Sequence, residues 1–126
     1  MIKITYALRR RPELSSEEFH RYWRTEHAAL VRQHASAIGL RRYVQSHTSA
    51  TPVDTPLRAA RSPEPEPYDG VAELYFDSVE ALVASLSSEE VQAIGAALVE
   101  DERRFIDLDR SPIWISEEHV ILDTTD

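Results

Sequence analysis

The sequence predicts an α+β domain of the ferredoxin-like kind: strand and helix signals in the order β-α-β-β-α-β, giving an antiparallel sheet with helices on one face. Three observations carry this. Residues 2–8 alternate between apolar and polar side chains, as a half-buried strand does. Serine- or aspartate-led capping signatures stand at Ser15, Asp77 and Ser87, each with a glutamate three residues on. Further short runs of strand character lie at 40–47, 71–76 and 113–122. The length, 126 residues, is that of one domain, spanning 1–126.

In the first strand, Ile2, Ile4, Tyr6 and Leu8 share one face and Lys3, Thr5 and Ala7 the other. Pro12 interrupts the chain before a helix capped by Ser15. Glu18 completes the capping box, and Leu14 and Phe19 sit where a hydrophobic staple belongs. The helix is expected to run unbroken to Ile38 and to end at Gly39. Phe19, Trp23, His27, Leu30 and His34 form its inward stripe.

In the second strand, Tyr43, Gln45 and His47 share a face. Residues 49–66 are rich in Pro, Ser, Thr and Ala and read as a mobile loop, either a lid or a plain excursion. The third strand leads to a short helix capped by Asp77 and running to Leu86. A final helix, capped by Ser87, is expected to bury Val91, Ile94, Leu98 and Phe105 until Pro112 stops it. The strand 113–122 closes the order. Helices on one face leave the other bare, with aromatic and apolar residues on it. A second copy of the chain is the expected cover, so the expected assembly is a homodimer.

Fourteen basic against twenty-two acidic residues give a net charge of −8, which argues against nucleic acid as a partner. The charge is uneven. Residues 1–61 hold eleven basic and five acidic side chains; residues 62–126 hold three and seventeen. Either the halves offset one another within the fold, or Arg9-Arg10-Arg11 and Arg41-Arg42 form a basic mouth for an anionic ligand. Cysteine is absent, which removes disulfides and thiolate chemistry. No apolar run approaches the roughly 20 residues of a membrane span, and no signal segment is evident, so a cytoplasmic location without membrane contact is expected. With three glycines and no phosphate-cradling loop, no nucleotide cofactor is expected.

His20, His27 and His34 fall seven apart. Two helical turns, about 10 Å, separate each pair, which bonds of about 2 Å to one metal cannot span. No metal is expected; one would need His47, His119 or a carboxylate from another element. His27 is the foremost candidate for chemistry. It lies on the stripe of Phe19 and Trp23, where an imidazole is either a hydrogen-bonded core residue or a proton-transfer group in a cavity. Asp101 and Glu102 lie between Leu98 and Phe105 on one helix face, so either one of the two points inward or to the core boundary, or both form a solvated pair at the rim. A buried carboxylate needs a partner, and His27, Tyr6 or Tyr75 would serve. The aromatics Tyr6, Phe19, Trp23, Tyr43, Tyr75, Phe105 and Trp114 are either packing residues or walls for a ring-shaped ligand.

Three stretches resemble the EthD family. They are Phe19-His20-Arg21-Tyr22-Trp23-Arg24-Thr25-Glu26-His27, then Tyr68-Asp69-Gly70-Val71-Ala72-Glu73-Leu74-Tyr75-Phe76-Asp77-Ser78, then Asp101-Glu102 followed by Phe105 and Asp107. They occur in the family's order and span most of the chain. The resemblance implies a dimeric α/β barrel, and it implies no single reaction, because related barrels isomerise lactones, cyclise or dehydrate polyketides, or oxidise haem. Two leading expectations follow, with haem oxidation as a third. One is a cofactor-free lyase, isomerase or cyclase acting on an oxygenated cyclic or polyketide-like small molecule, with His27 as general acid or base. The other is a non-catalytic protein that binds or delivers such a molecule.

Overall fold

Strand β1 (Ile2–Leu8) lies in the middle of a four-stranded antiparallel sheet, ordered β2-β3-β1-β4 with β2 (Arg42–His47), β3 (Gly70–Phe76) and β4 (Ile113–Glu117). This computed structural model describes residues 1–62 and 64–126. Register follows the alternation in the sequence. Tyr6 stands opposite Ala72 and Ile113, and Gln45 is also opposite Ala72, so one face presents Ile4, Tyr6, Leu8, Tyr43, Gln45, Ala72 and Leu74 to the helices.

Helix α1 (Ser16–Tyr22) starts as expected. The Ser15 hydroxyl accepts from the Glu18 N–H, and the Glu18 carboxylate accepts from the Ser15 N–H. The helix does not continue unbroken. A π-helical turn occupies Trp23–His27, and α2 (Ala28–Ile38) follows, ending at Gly39 with a left-handed φ of 76°. The wider turn shifts the face that follows it. Trp23, His27 and Val31 are buried, whereas Leu30 and His34, expected on the stripe, are only partly so.

Other boundaries move by small amounts. Helix α4 (Val79–Leu86) is capped by Ser78 rather than Asp77, and α5 (Glu89–Glu102) by Ser88 rather than Ser87. In each case the serine one residue on has extended backbone, and its hydroxyl accepts from the N–H three residues further along. Helix α5 ends at Glu102, before Phe105, and a 3₁₀ turn (Leu108–Arg110) precedes β4. Strand β4 ends at Glu117, five residues short of the expected Leu122. The segment 49–66 contains a short helix, α3 (Asp54–Ala59), and is not simply an extended excursion; Pro63, within it, lies outside the described residues.

The core is a cluster of Leu8, Phe19, Trp23, Ala72, Phe105 and Ile106 between the sheet and the helices. Gly70 makes this packing possible. A Cβ there would lie 2.7 Å from Cη2 of Trp23 and 2.8 Å from the Ser46 carbonyl oxygen, closer than atoms can approach.

The opposite sheet face is not the bare apolar surface expected. Lys3 pairs with Glu73 and Glu118, the Tyr75 hydroxyl donates to Glu118 at 2.7 Å, and the Arg42 guanidinium covers the Tyr75 ring. Exposed apolar side chains concentrate instead on β4, at Ile113, Trp114 and Ile115, and beyond it at Val120, Ile121 and Leu122. Among the described residues no single helix is long and apolar enough to cross a membrane.

Candidate functional site

A cavity of about 90 Å³ lies between the helices and the sheet. Its walls are mostly apolar, and the polar groups that reach it are Tyr6, Tyr43, His27 and Glu102. Among the described residues, four larger surface clefts hold none of His27, Glu102 and Tyr6. Only a buried recess lined by titratable side chains offers the dry surroundings that acid–base chemistry exploits, so the smaller cavity is the candidate site.

His27 sits at the end of the π turn, and its Nδ1 lies 2.7 Å from Oδ2 of Asp101 on α5. Asp101 is held in turn by the Tyr22 hydroxyl, which donates to Oδ1 at 2.5 Å. A carboxylate only accepts, so His27 carries its proton on Nδ1 and leaves a lone pair on Nε2. Nε2 bonds to nothing among the described residues, and no buried side-chain nitrogen or oxygen described there lacks a partner. Nε2 is therefore not fully enclosed, and His27 lines the cavity. Burial holds the imidazole below its usual pKa, and Asp101 opposes this in part. The Tyr22 hydroxyl is pushed up to about 12, mainly by burial and then by its bond to Asp101.

Both carboxylates point inward, where the sequence suggested one at most. Adjacent positions at the end of α5 straddle the helix's inner face: Asp101 meets α1 and the π turn, while Glu102 meets β1. The Tyr6 hydroxyl donates to Oε1 of Glu102 at 3.0 Å. Desolvation raises the Glu102 pKa to about 7, against the Tyr6 bond, and Asp101 beside it adds to the rise. The two chemical groups of the cavity are thus displaced in opposite directions from their ordinary values, toward their neutral forms.

Beside them runs a polar chain that the sequence reading did not assign. Gln45 donates from Nε2 to the Trp23 carbonyl and to the Tyr43 hydroxyl, each at 2.9 Å, and its Oε1 lies 2.8 Å from His47 Nε2. His47 Nδ1 then meets His20 Nδ1 at 2.7 Å. The Trp23 carbonyl opens the π turn, so the irregular turn and the Gln45 contact share an atom. The available signal was the alternation that sets Gln45 between Tyr43 and His47 on the inner face. Tyr22 lay in plain view in the aromatic helix motif, yet only the three-dimensional fold brings it to Asp101.

Of the aromatics expected at a pocket, Tyr6, Trp23 and Tyr43 line the cavity. Phe19 and Phe105 do not, being closed into the core behind it with exposures of 0% and 1%. Tyr75 and Trp114 are on the far face of the sheet, because each is one residue out of phase with the inward positions Leu74 and Ile113. The arginines of the possible basic mouth are engaged elsewhere. Arg9 bonds the carbonyls of Glu66 and Pro67 and stacks on Tyr68, Arg10 holds Asp69 and the Leu14 carbonyl, and Arg11 holds Glu13 and the Arg103 carbonyl. Arg41 faces Asp77 and Arg42 covers Tyr75. Among the described residues no three His, Asp or Glu side chains are grouped to hold a metal ion.

Comparison with known proteins gives the fold and the family. An EthD family protein from Bacillus halodurans has 23% identity over 94% of this chain and 100% of its own, with a TM-score of 0.60. A dimeric ferredoxin-like protein of unknown function from Bacteroides fragilis has 11% identity over 93% and 95%, with a TM-score of 0.56. SnoaB, a cofactor-independent oxygenase from Streptomyces nogalater, has 14% identity over 96% and 95%, with a TM-score of 0.51. At such identities the likeness establishes the ferredoxin-like fold. None of the curated proteins matches the chain. The model of the EthD domain matches residues 11–109, which takes in all three stretches of the resemblance, and the chain belongs to the EthD family.

Proposed function

We propose that the chain is a cofactor-free lyase, isomerase or cyclase acting on an oxygenated cyclic or polyketide-like small molecule, with His27 as the general base and acid. The observation that carries this reading is the His27–Asp101 pair at the cavity wall, with Nδ1 held and Nε2 free. Asp101 orients the ring and stabilises the imidazolium when it forms. Nε2 takes a proton from carbon next to a substrate carbonyl, and protonated Glu102 gives one to the developing enolate oxygen; in an isomerisation His27 then returns its proton to another carbon, and in an elimination it gives that proton to a β-hydroxyl that leaves as water, Glu102 taking back the enol proton in both cases. Between the lowered pKa of His27 and about 7 for Glu102, the base is neutral and the acid protonated together.

The cavity, about 90 Å³, is smaller than the roughly 150 Å³ that encloses a benzene. It suits the reacting end of a substrate, the remainder lying outward past Ile113, which lines the cavity and is exposed. SnoaB is cofactor-independent, which is consistent with chemistry by side chains alone. A homodimer belongs to the same proposal, supported by the dimeric Bacteroides relative and the exposed apolar residues of β4.

The small, apolar character of the cavity favours the second reading, a protein that binds an oxygenated molecule without converting it. Deuterium exchange separates the two. Small cyclic ketones incubated in heavy water with the protein should lose their α-proton NMR signals faster than in buffer, and His27→Ala should cut the acceleration by about 100-fold or more. Equal exchange with both proteins rules out the base. Binding without exchange selects the second reading.

A further inference from the structure

We infer that Tyr43 is the group that hydrogen-bonds a ligand's carbonyl or enolate oxygen in the cavity, its phenol proton held there by Gln45. The inference rests on the reading of the cavity as a small-molecule site, and adds which oxygen chemistry it recognises and by which residue.

Tyr6, Tyr22 and Tyr75 all give their hydroxyl protons to carboxylates, Glu102, Asp101 and Glu118. Tyr43 differs, because its oxygen receives an N–H from Gln45. The direction of that bond is settled by the neighbours of Gln45. Its Nε2 also faces the Trp23 carbonyl, which can only accept, so the amide cannot be turned round. Both N–H groups are then in use and Oε1 accepts from His47 Nε2. This puts the His47 proton on Nε2 and makes its Nδ1 the acceptor for His20 Nδ1–H, so the chain from His20 to Tyr43 has one consistent set of directions.

At its end the Tyr43 hydroxyl still has a proton to give. It gives it to no described residue, and Tyr43 lines the cavity. The indole N–H of Trp23 also bears on the Tyr43 oxygen, so this phenol is supplied with donors and lacks only an acceptor for its own proton, which an oxygen with lone pairs provides. Glu102 lines the same cavity as Tyr43. A carbonyl oxygen between them meets a fixed donor at Tyr43 and, once Glu102 is protonated, a second one. An enolate formed by proton loss to His27 would gain more from both donors than the ketone does, which is what a catalytic site requires.

The test uses a matched pair of probes, cyclobutanone and methylenecyclobutane, alike in shape but different in having an acceptor oxygen. Amide shifts of the intact protein report binding of each. Tyr43→Phe keeps the ring and the apolar wall. The expected result is that cyclobutanone loses about five- to tenfold in affinity in Tyr43→Phe, the scale of one hydrogen bond, while methylenecyclobutane is unchanged. An unchanged ratio of the two affinities overturns the role of Tyr43 and leaves the cavity reading standing. Failure of both probes to bind the wild-type protein overturns both. Should Tyr43→Phe not fold, the carbonyl stretch of bound cyclobutanone in the wild-type protein decides. A frequency below that in alkane is expected, and the alkane frequency itself excludes any donor.

Discussion

His27 and Asp101 meet across two helices, 74 residues apart in the chain, with Nδ1 of the imidazole 2.7 Å from Oδ2 of the carboxylate. The contact fixes the tautomer and aims the second nitrogen away from α5. Nitrogen-15 spectra of the wild-type protein should show His27 protonated at Nδ1 and bare at Nε2 at neutral pH, and Asp101→Asn should change that pattern. The same substitution should lower any ketone exchange by about tenfold or more, because the imidazolium loses its counter-charge. His27→Asn should leave the protein folded. If His27 is structural instead, Ala and Asn should each cost about 1–3 kcal/mol and leave activity per folded molecule unchanged.

Glu102 makes stability depend on pH. Its ordinary pKa of 4.5 is raised to about 7 in the fold, chiefly by burial. The folded protein therefore holds the proton more tightly than the unfolded chain does. The stabilisation is complete below about 4.5 and is lost as pH rises toward 7. Glu102→Gln keeps an oxygen for Tyr6 and cannot ionise. Urea unfolding at pH 5 and pH 8 should show the wild type falling relative to this variant by about 2–3 kcal/mol, from about 1.4 kcal/mol per pKa unit. A constant difference between the two proteins would show that Glu102 ionises in the fold as freely as in solution.

Gly70 should tolerate no side chain. Its missing Cβ leaves the space into which Trp23 packs, against backbone at Ser46. Gly70→Ala should destabilise the protein by about 1–3 kcal/mol through overpacking, and the strain should move Trp23 and so its fluorescence. Gly95, where a Cβ would meet nothing within 4 Å, is the control; Gly95→Ala should be neutral or slightly stabilising in helix α5.

Light scattering should give about twice the 14.4 kDa of one chain. Trp114→Glu puts a charge among the exposed apolar residues of β4 and should shift the protein toward the monomer as concentration falls. A single-chain mass for the wild type at micromolar concentration would remove the homodimer.

The order of strands and helices, the cap at Ser15, the stop at Gly39 and the inward direction of Phe19, Trp23 and His27 were determined by the sequence alone. These features are local. Side-chain alternation and helical spacing decide which way a residue points, and a capping serine needs partners only three residues away. The pairing of His27 with Asp101, of Tyr6 with Glu102, and of Gln45 with the Trp23 carbonyl was decided by the tertiary structure. So was the exclusion of Tyr75 and Trp114 from the cavity, because a strand residue's face has meaning only once the sheet has a helical side. Local chemistry does not contain the π turn either. It adds one residue to a turn of the helix, which brings Val31 inward in place of Leu30, and it presents the Trp23 carbonyl to Gln45. Contacts between distant segments exist only after those segments pack, and the free energy that selects them comes from the burial of Trp23, Phe19 and Phe105 around them.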